Sequence, residues 1–177
     1  MRDLSPLPEP TRLDVRPRNR EHFAQLLEFT REILGICESL GIEPVASGSL
    51  VVLLYTKDEG IDVHDVDLSC SESDFPRLLA ALAERGIAGS VTDWRVLQAR
   101  RNDLKVEFDS QEYWMKDLPE DHVIAEVAGV QLNVVGKAAL VELYRRGLDA
   151  TADSAEAVDL QKQRSIRDKL ARLATMR

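Results

Sequence analysis

Apolar positions first fall into a regular rhythm after Asn19. Phe23, Leu26, Leu27, Ile33, Leu34, Cys37 and Leu40 recur at a spacing that places them on one face of a helix. Asn19 can cap that helix and Gly41 can end it, so it is predicted from residue 19 to about residue 40. Before it, residues 1–18 hold Pro6, Pro8, Pro10 and Pro17 among charges, without an apolar period. That predicts an extended arm, ordered only where it docks on the body. After the helix, residues 44–49 read as a short strand entering a small-residue turn. The run 50–55 is apolar on all sides; because a strand already precedes the turn, it is read as a helix starting at Ser49.

Residues 63–70 then alternate, with Val66 and Leu68 pointing one way and Asp65 and Asp67 the other. Residues 73–85 carry Phe75, Leu78, Leu79 and Leu82 ahead of Gly86, which predicts another helix. Two strands are expected at 90–99 and 103–110, joined by a turn at Arg101, Asn102 and Asp103. A hairpin over 123–135 should turn near Ala128 and Gly129. A helix over 137–146 should end at Gly147, and a charged helix should occupy 155–174. With no internal repeat, residues 19–177 read as one α/β or α+β domain whose C-terminal end is helical.

Composition narrows the functional classes. The 177 residues, 44% hydrophobic and 31% charged, suit a single globular domain. No stretch approaches the roughly 18–20 apolar residues needed to cross a bilayer. The start MRDLSPLPEP lacks the apolar core of a secretory signal, so a cytoplasmic location away from membranes is expected. Cys37 and Cys70 lie far apart and outside any CxxC spacing, as buried free thiols would in a reducing compartment. A net charge of -8 argues against a general binder of duplex nucleic acid, though Arg95, Arg100, Arg101 and Lys105 form a local basic cluster in sequence.

Three segments carry candidate chemistry. At Gly48 and Ser49, a strand-to-helix turn would let a phosphate approach the backbone and meet the free N–H groups of a helix start. In Asp65-Val66-Asp67-Leu68, two carboxylates share one face of a strand while the apolar residues anchor the other. Aspartate is disfavoured in strands, and paired anions repel unless a cation joins them, as Mg²⁺ does when it binds carboxylates and substrate phosphates. In Leu104-Lys105-Val106-Glu107-Phe108-Asp109, Val106 and Phe108 face the core while Lys105, Glu107 and Asp109 share the opposite side. If this strand lies beside the first, a third carboxylate joins the pair; otherwise these charges are an exposed edge.

Other residues give weaker signals. His22, His64 and His122 show no ligand spacing, so zinc is not expected. Ser69, Ser71 and Ser73 read as residues leading into a helix. Trp94, Tyr113 and Trp114 could stack a base, but with aromatics at only 5% they are expected to serve the core. Lys162, Arg164 and Arg167 could contact phosphate, yet a solvated helix face is the simpler expectation.

Gly48-Ser49, an apolar helix, Asp65-Val66-Asp67-Leu68 on a strand and Lys105-Val106-Glu107 on a later strand together resemble the nucleotidyltransferase superfamily, the fold of DNA polymerase β and the antibiotic adenylyltransferases. Within it, the pattern looks most like the small bacterial abortive-infection nucleotidyltransferases of toxin–antitoxin systems. The gap from Ser49 to Asp65 is longer than usual, so the intervening helix or loop should be extended. The resemblance implies an α+β fold with a mixed sheet, flanking helices and a helical C-terminal end. It implies Mg²⁺-dependent transfer of a nucleoside monophosphate from an NTP to a hydroxyl on a small molecule, RNA end or protein; the alternative is an inactive binding or regulatory module of the same fold. Gly48, Ser49 and Lys105 would then hold the nucleotide, and Asp65, Asp67 and Glu107 a two-metal site. Glu107, preferred, or Asp109 would act as general base, and a homodimer or partner protein could complete the site.

Overall fold

The computed structural model describes residues 11–12, 14–119 and 121–175. Strand β1 is Thr11–Arg12, helix α1 Arg20–Ser39, strand β2 Val45–Ser47, helix α2 Gly48–Thr56 and strand β3 Val66–Cys70. Helix α3 (Phe75–Glu84) leads to strands β4 (Ala88–Val91), β5 (Val96–Arg101) and β6 (Leu104–Ser110). The short helix α4 (Gln111–Trp114), strands β7 (His122–Val127) and β8 (Val130–Val135), and helices α5 (Lys137–Thr151) and α6 (Ala157–Ala174) complete the chain.

The strands form one mixed sheet in the order β1-β7-β8-β2-β3-β6-β5-β4. At its centre β3 runs antiparallel to β2 and parallel to β6, with Val66 opposite Val106, Asp67 opposite Glu107 and Ser69 opposite Asp109. Parallel pairing in this register keeps like-facing residues together: Val66, Leu68, Val106 and Phe108 are wholly buried. Helix α1 packs on β6 and α3, α2 on β3 and α6, and α5 on α6. The α+β expectation with a mixed sheet and a helical end is therefore met. No helix among the described residues is long and apolar enough to cross a membrane.

Several local expectations need correction. Asn19 stands before α1 but makes no side-chain cap. Its amide instead donates to the Val63 carbonyl at 2.8 Å and accepts from the Val63 N–H at 3.0 Å, clamping the loop before β3. The single strand expected at 90–99 is two, β4 and β5, because the chain turns at residues 93–95 with Arg95 in the left-handed region at φ 57°. Helix α5 does not stop at Gly147 but runs on to Thr151. That glycine instead lets α6 approach, since a Cβ there would lie 3.1 Å from Ile166 Cδ1. Helix α4 had no periodic signal in the sequence. Thr11–Arg12 of the expected arm pairs with β7, while residues 1–10 and 13 lie outside the described residues.

Other features follow the sequence closely. The β7–β8 turn falls at Ala128 and Gly129, both at positive φ. Both cysteines are buried free thiols, each pushed up to about 12 chiefly by burial. The extra length between Ser49 and Asp65 is taken up by α2 and a loop that starts at the left-handed Lys57.

Candidate active site

Strand β2 ends where α2 begins, and Gly48 makes the junction at φ +71°. A side chain there would overlap the Asp67 carboxylate, so glycine is required both by backbone conformation and by the close approach of that acid. The first turn of α2 thus lies directly beside Asp67. Ser49 follows, nearly buried, with its neighbours Leu50, Val51 and Val52 holding the helix in the core.

The parallel pairing of β3 and β6 brings the third carboxylate in. One oxygen each from Asp65, Asp67 and Glu107 lies within 4.8 Å of the others. Asp109 sits one step further along the same face of β6, lining the same cavity but outside that close group. Burial raises the Asp67 pKa well above the usual carboxylate value, and the charges of Asp65, Asp109 and Glu107 push it further while Lys169 opposes them. Burial likewise pushes Asp109 up to about 7, with Glu107 and Asp65 adding to the effect and Lys162 working against it. Hard oxygen donors crowded this closely fit a divalent cation such as Mg²⁺.

Lys105 lies behind this group. Its Nζ is 2.8 Å from Asp65 and 3.1 Å from Glu107, so it neutralises acids and does not line the cavity. Burial works against its charge, but the bonds to Asp65 and Glu107 prevail and hold its pKa above the ordinary lysine value. Glu107 also accepts from Gln98 Nε2 at 2.6 Å, which fixes its rotamer. The expected basic cluster is dispersed: Arg95 reaches Glu72, Arg100 reaches Gln98 and Arg101 pairs with Glu32.

The cavity in front of the carboxylates measures about 450 Å³. Helices α5 and α6 form its far wall, each through a stripe at helical spacing: Leu140, Leu143, Tyr144 and Gly147 on one, Lys162, Ser165, Ile166 and Lys169 on the other. Lys162 therefore faces the site, and Arg164 and Arg167 do not line it. Sequence reasoning missed Gln98, Tyr144 and Lys169. The two stripes were the available signal, but their polar members read as solvated surface.

The aromatic residues overturn the core expectation. Trp94 is 57% exposed and Tyr113 49%. Trp94 and Trp114 line the cavity mouth with ring centres 6.5 Å apart, and Trp114 Nε1 donates to the Trp94 carbonyl at 3.1 Å. Among the described residues no histidine joins a group that could hold a metal; His22 approaches Asp103 and the His64 carbonyl. Ser71 leads into the helical turn at 72–74, accepting from the Ser73 N–H. A larger hollow of about 700 Å³ lies between α1 and the β7–β8 turn and holds none of the candidate site residues.

No family model matches the chain, and no curated protein matches it. Solved structures do. The antibiotic-resistance factor ANT(2'')-Ia aligns with a TM-score of 0.58 at 15% identity, over 88% of this chain and 90% of that one. The lincosamide antibiotic adenylyltransferase LnuA gives 0.52 at 12%, over 86% and 97%. An antigenic nucleotidyltransferase-like protein from Paracoccidioides brasiliensis gives 0.55 at 13%, over 84% and 74%. At such identities the likeness speaks for architecture, and on that level the chain has the nucleotidyltransferase fold.

Proposed function

We propose that this chain catalyses Mg²⁺-dependent transfer of a nucleoside monophosphate from an NTP to a hydroxyl acceptor. The observation that carries the reading is the convergence of Asp65, Asp67 and Glu107 beside the first turn of α2, in a cavity of nucleotide-accommodating size. Asp65, Asp67 and Glu107 would hold the cations, which would supply positive charge against the triphosphate. Gly48, Ser49 and the free N–H groups of α2 take the phosphates. The acceptor hydroxyl gives its proton to a β6 carboxylate, Asp109 or Glu107, as its oxygen attacks the α-phosphorus and pyrophosphate leaves. Trp94 and Trp114 offer the nucleobase a stacking face. One fold neighbour is named an adenylyltransferase and another was solved with adenylyl-2''-tobramycin, which supports the reaction class.

A second reading keeps the fold and the ligand but not the reaction, as in a regulatory module of a toxin–antitoxin pair. Lys105 favours it, because an internal ammonium already bridges Asp65 and Glu107. Calorimetry of Mg²⁺–NTP binding on wild type and on Asp65→Ala/Asp67→Ala tests both. Binding that needs Mg²⁺ and disappears in a folded double mutant supports the enzyme. Binding indifferent to Mg²⁺ and to both aspartates supports the module. A folded wild type that binds no NTP removes the enzyme reading for the isolated chain.

A further inference from the structure

Tyr144 stands apart among the residues facing the cavity. Its side chain is 9% exposed, and its hydroxyl is the one buried side-chain polar atom among the described residues with no hydrogen-bond partner. Leaving a buried hydroxyl unpaired is costly, and native structures rarely carry that cost without a ligand or water to relieve it. A phenylalanine would fill the same volume on α5 without it, so packing does not explain the tyrosine. The ring lies beneath Lys169, whose Nζ is 5.4 Å from the ring centre, so an ammonium shares this wall with the orphaned hydroxyl. Both side chains line the cavity that Asp65, Asp67 and Ser49 face from the opposite wall. The charges of Asp67 and Asp65, after burial, hold the phenol in its protonated form. A phenol that keeps its proton has a hydrogen to donate. A neutral donor sharing a wall with an ammonium calls for an anionic oxygen as its partner.

We infer that Tyr144 and Lys169 form a phosphate seat on the α5–α6 wall, the Tyr144 hydroxyl donating a hydrogen bond to a non-bridging oxygen of the substrate's polyphosphate. This rests on the proposed nucleotide reading and deepens it: the polyphosphate is held from two sides, by the start of α2 and by α5 and α6. The leaving pyrophosphate would stay in this seat until release. Nucleoside and base contribute nothing to the contact, so pyrophosphate alone should detect it.

The test measures Mg²⁺–ATP and Mg²⁺–pyrophosphate binding by calorimetry on wild type, Tyr144→Phe and Lys169→Met. Tyr144→Phe should weaken both ligands by a similar factor of roughly 10–100, the loss of one charge-assisted hydrogen bond. Its ligand-free melting temperature should equal or exceed that of wild type, because the orphaned hydroxyl is gone. Lys169→Met should weaken both ligands as well. If Tyr144→Phe weakens ATP but not pyrophosphate, the contact is to the nucleoside and the phosphate seat is overturned. If neither ligand changes, Tyr144 is no ligand residue. If wild type binds neither ligand, the nucleotide reading itself fails, an outcome distinct from both.

Discussion

The β3–β6 wall of the cavity presents four carboxylates, three on the adjacent strands and Asp65 just before β3, whereas the α5–α6 wall presents two lysines, one serine and an unpartnered phenol. The first wall is electrostatically crowded and held together by Lys105 from behind, by Gln98 and by the strand register. The second is sparse, and its polar groups are carried by helices that also contribute Leu140, Leu143 and Ile166 to the packing. A wall of like charges gains stability when a cation arrives; a wall of isolated donors gains it when an anion does. The two are complementary to the two halves of a metal polyphosphate.

Experiments that disturb one wall and spare the other sharpen this contrast. The largest effect is expected at their common floor. Gly48→Ala places a Cβ on the Asp67 carboxylate at a positive φ, and should cost roughly 2–3 kcal/mol in chemical denaturation. A stability within 0.5 kcal/mol of wild type would show that Asp67 can swing away freely. Next, Trp94→Ala should lower Mg²⁺–NTP affinity about tenfold, the scale of one stacked base, while leaving stability unchanged because the indole is exposed. Unchanged affinity would place the base elsewhere. Smaller still, Asp67→Asn should raise the metal-free melting temperature by relieving repulsion with Asp65, Asp109 and Glu107, and abolish the rise that Mg²⁺ gives wild type. A drop in metal-free stability would mean the carboxylate is needed for folding.

The smallest effect is a slope. Asp109 has a folded pKa of about 7, above the unfolded value near 4. Between those values the unfolded chain has lost the proton that the folded chain keeps, so metal-free stability falls as pH rises from about 4 to about 7. Below the unfolded value the group contributes its full stability. Asp109→Asn should flatten that part of the stability–pH curve; an unchanged curve would indicate an unshifted Asp109.

The same contrast explains what could be read in advance. Asp65, Asp67, Glu107 and Asp109 stood out because strand alternation is strict: Asp67, Glu107 and Asp109 each sit between buried residues and Asp65 directly precedes one, and the period-two pattern survives in any register that keeps the core dry. That Glu107 and not Asp109 joins the close group depended on the β3–β6 register, which local pattern does not contain. Tyr144 and Lys169 were hidden for a different reason. Helical stripes of mixed polarity look alike whether they face solvent or a wet cavity, and only the packing of α5 on α6 distinguishes them. Gly147 misled because a glycine near a helix end usually marks a stop, while here it serves a close helix crossing. Trp94 and Trp114 misled through composition, since scarcity of aromatic residues says nothing about where they are placed.

Helix α2 carries a mechanical consequence. From Leu50 to Leu54 it is buried on every side, so no apolar face distinguishes one rotation about its axis from another. Its azimuth is fixed at the ends: by Gly48 fitted under Asp67, and about 12 Å away by Thr56, whose hydroxyl accepts from the Asp58 N–H. Asp58 in turn pairs with Arg172 of α6. A twist applied at that distant tie is transmitted through a smooth cylinder to the floor of the cavity. The orientation of the first turn of α2 is thereby tied to the Asp58–Arg172 pair at the helix's other end.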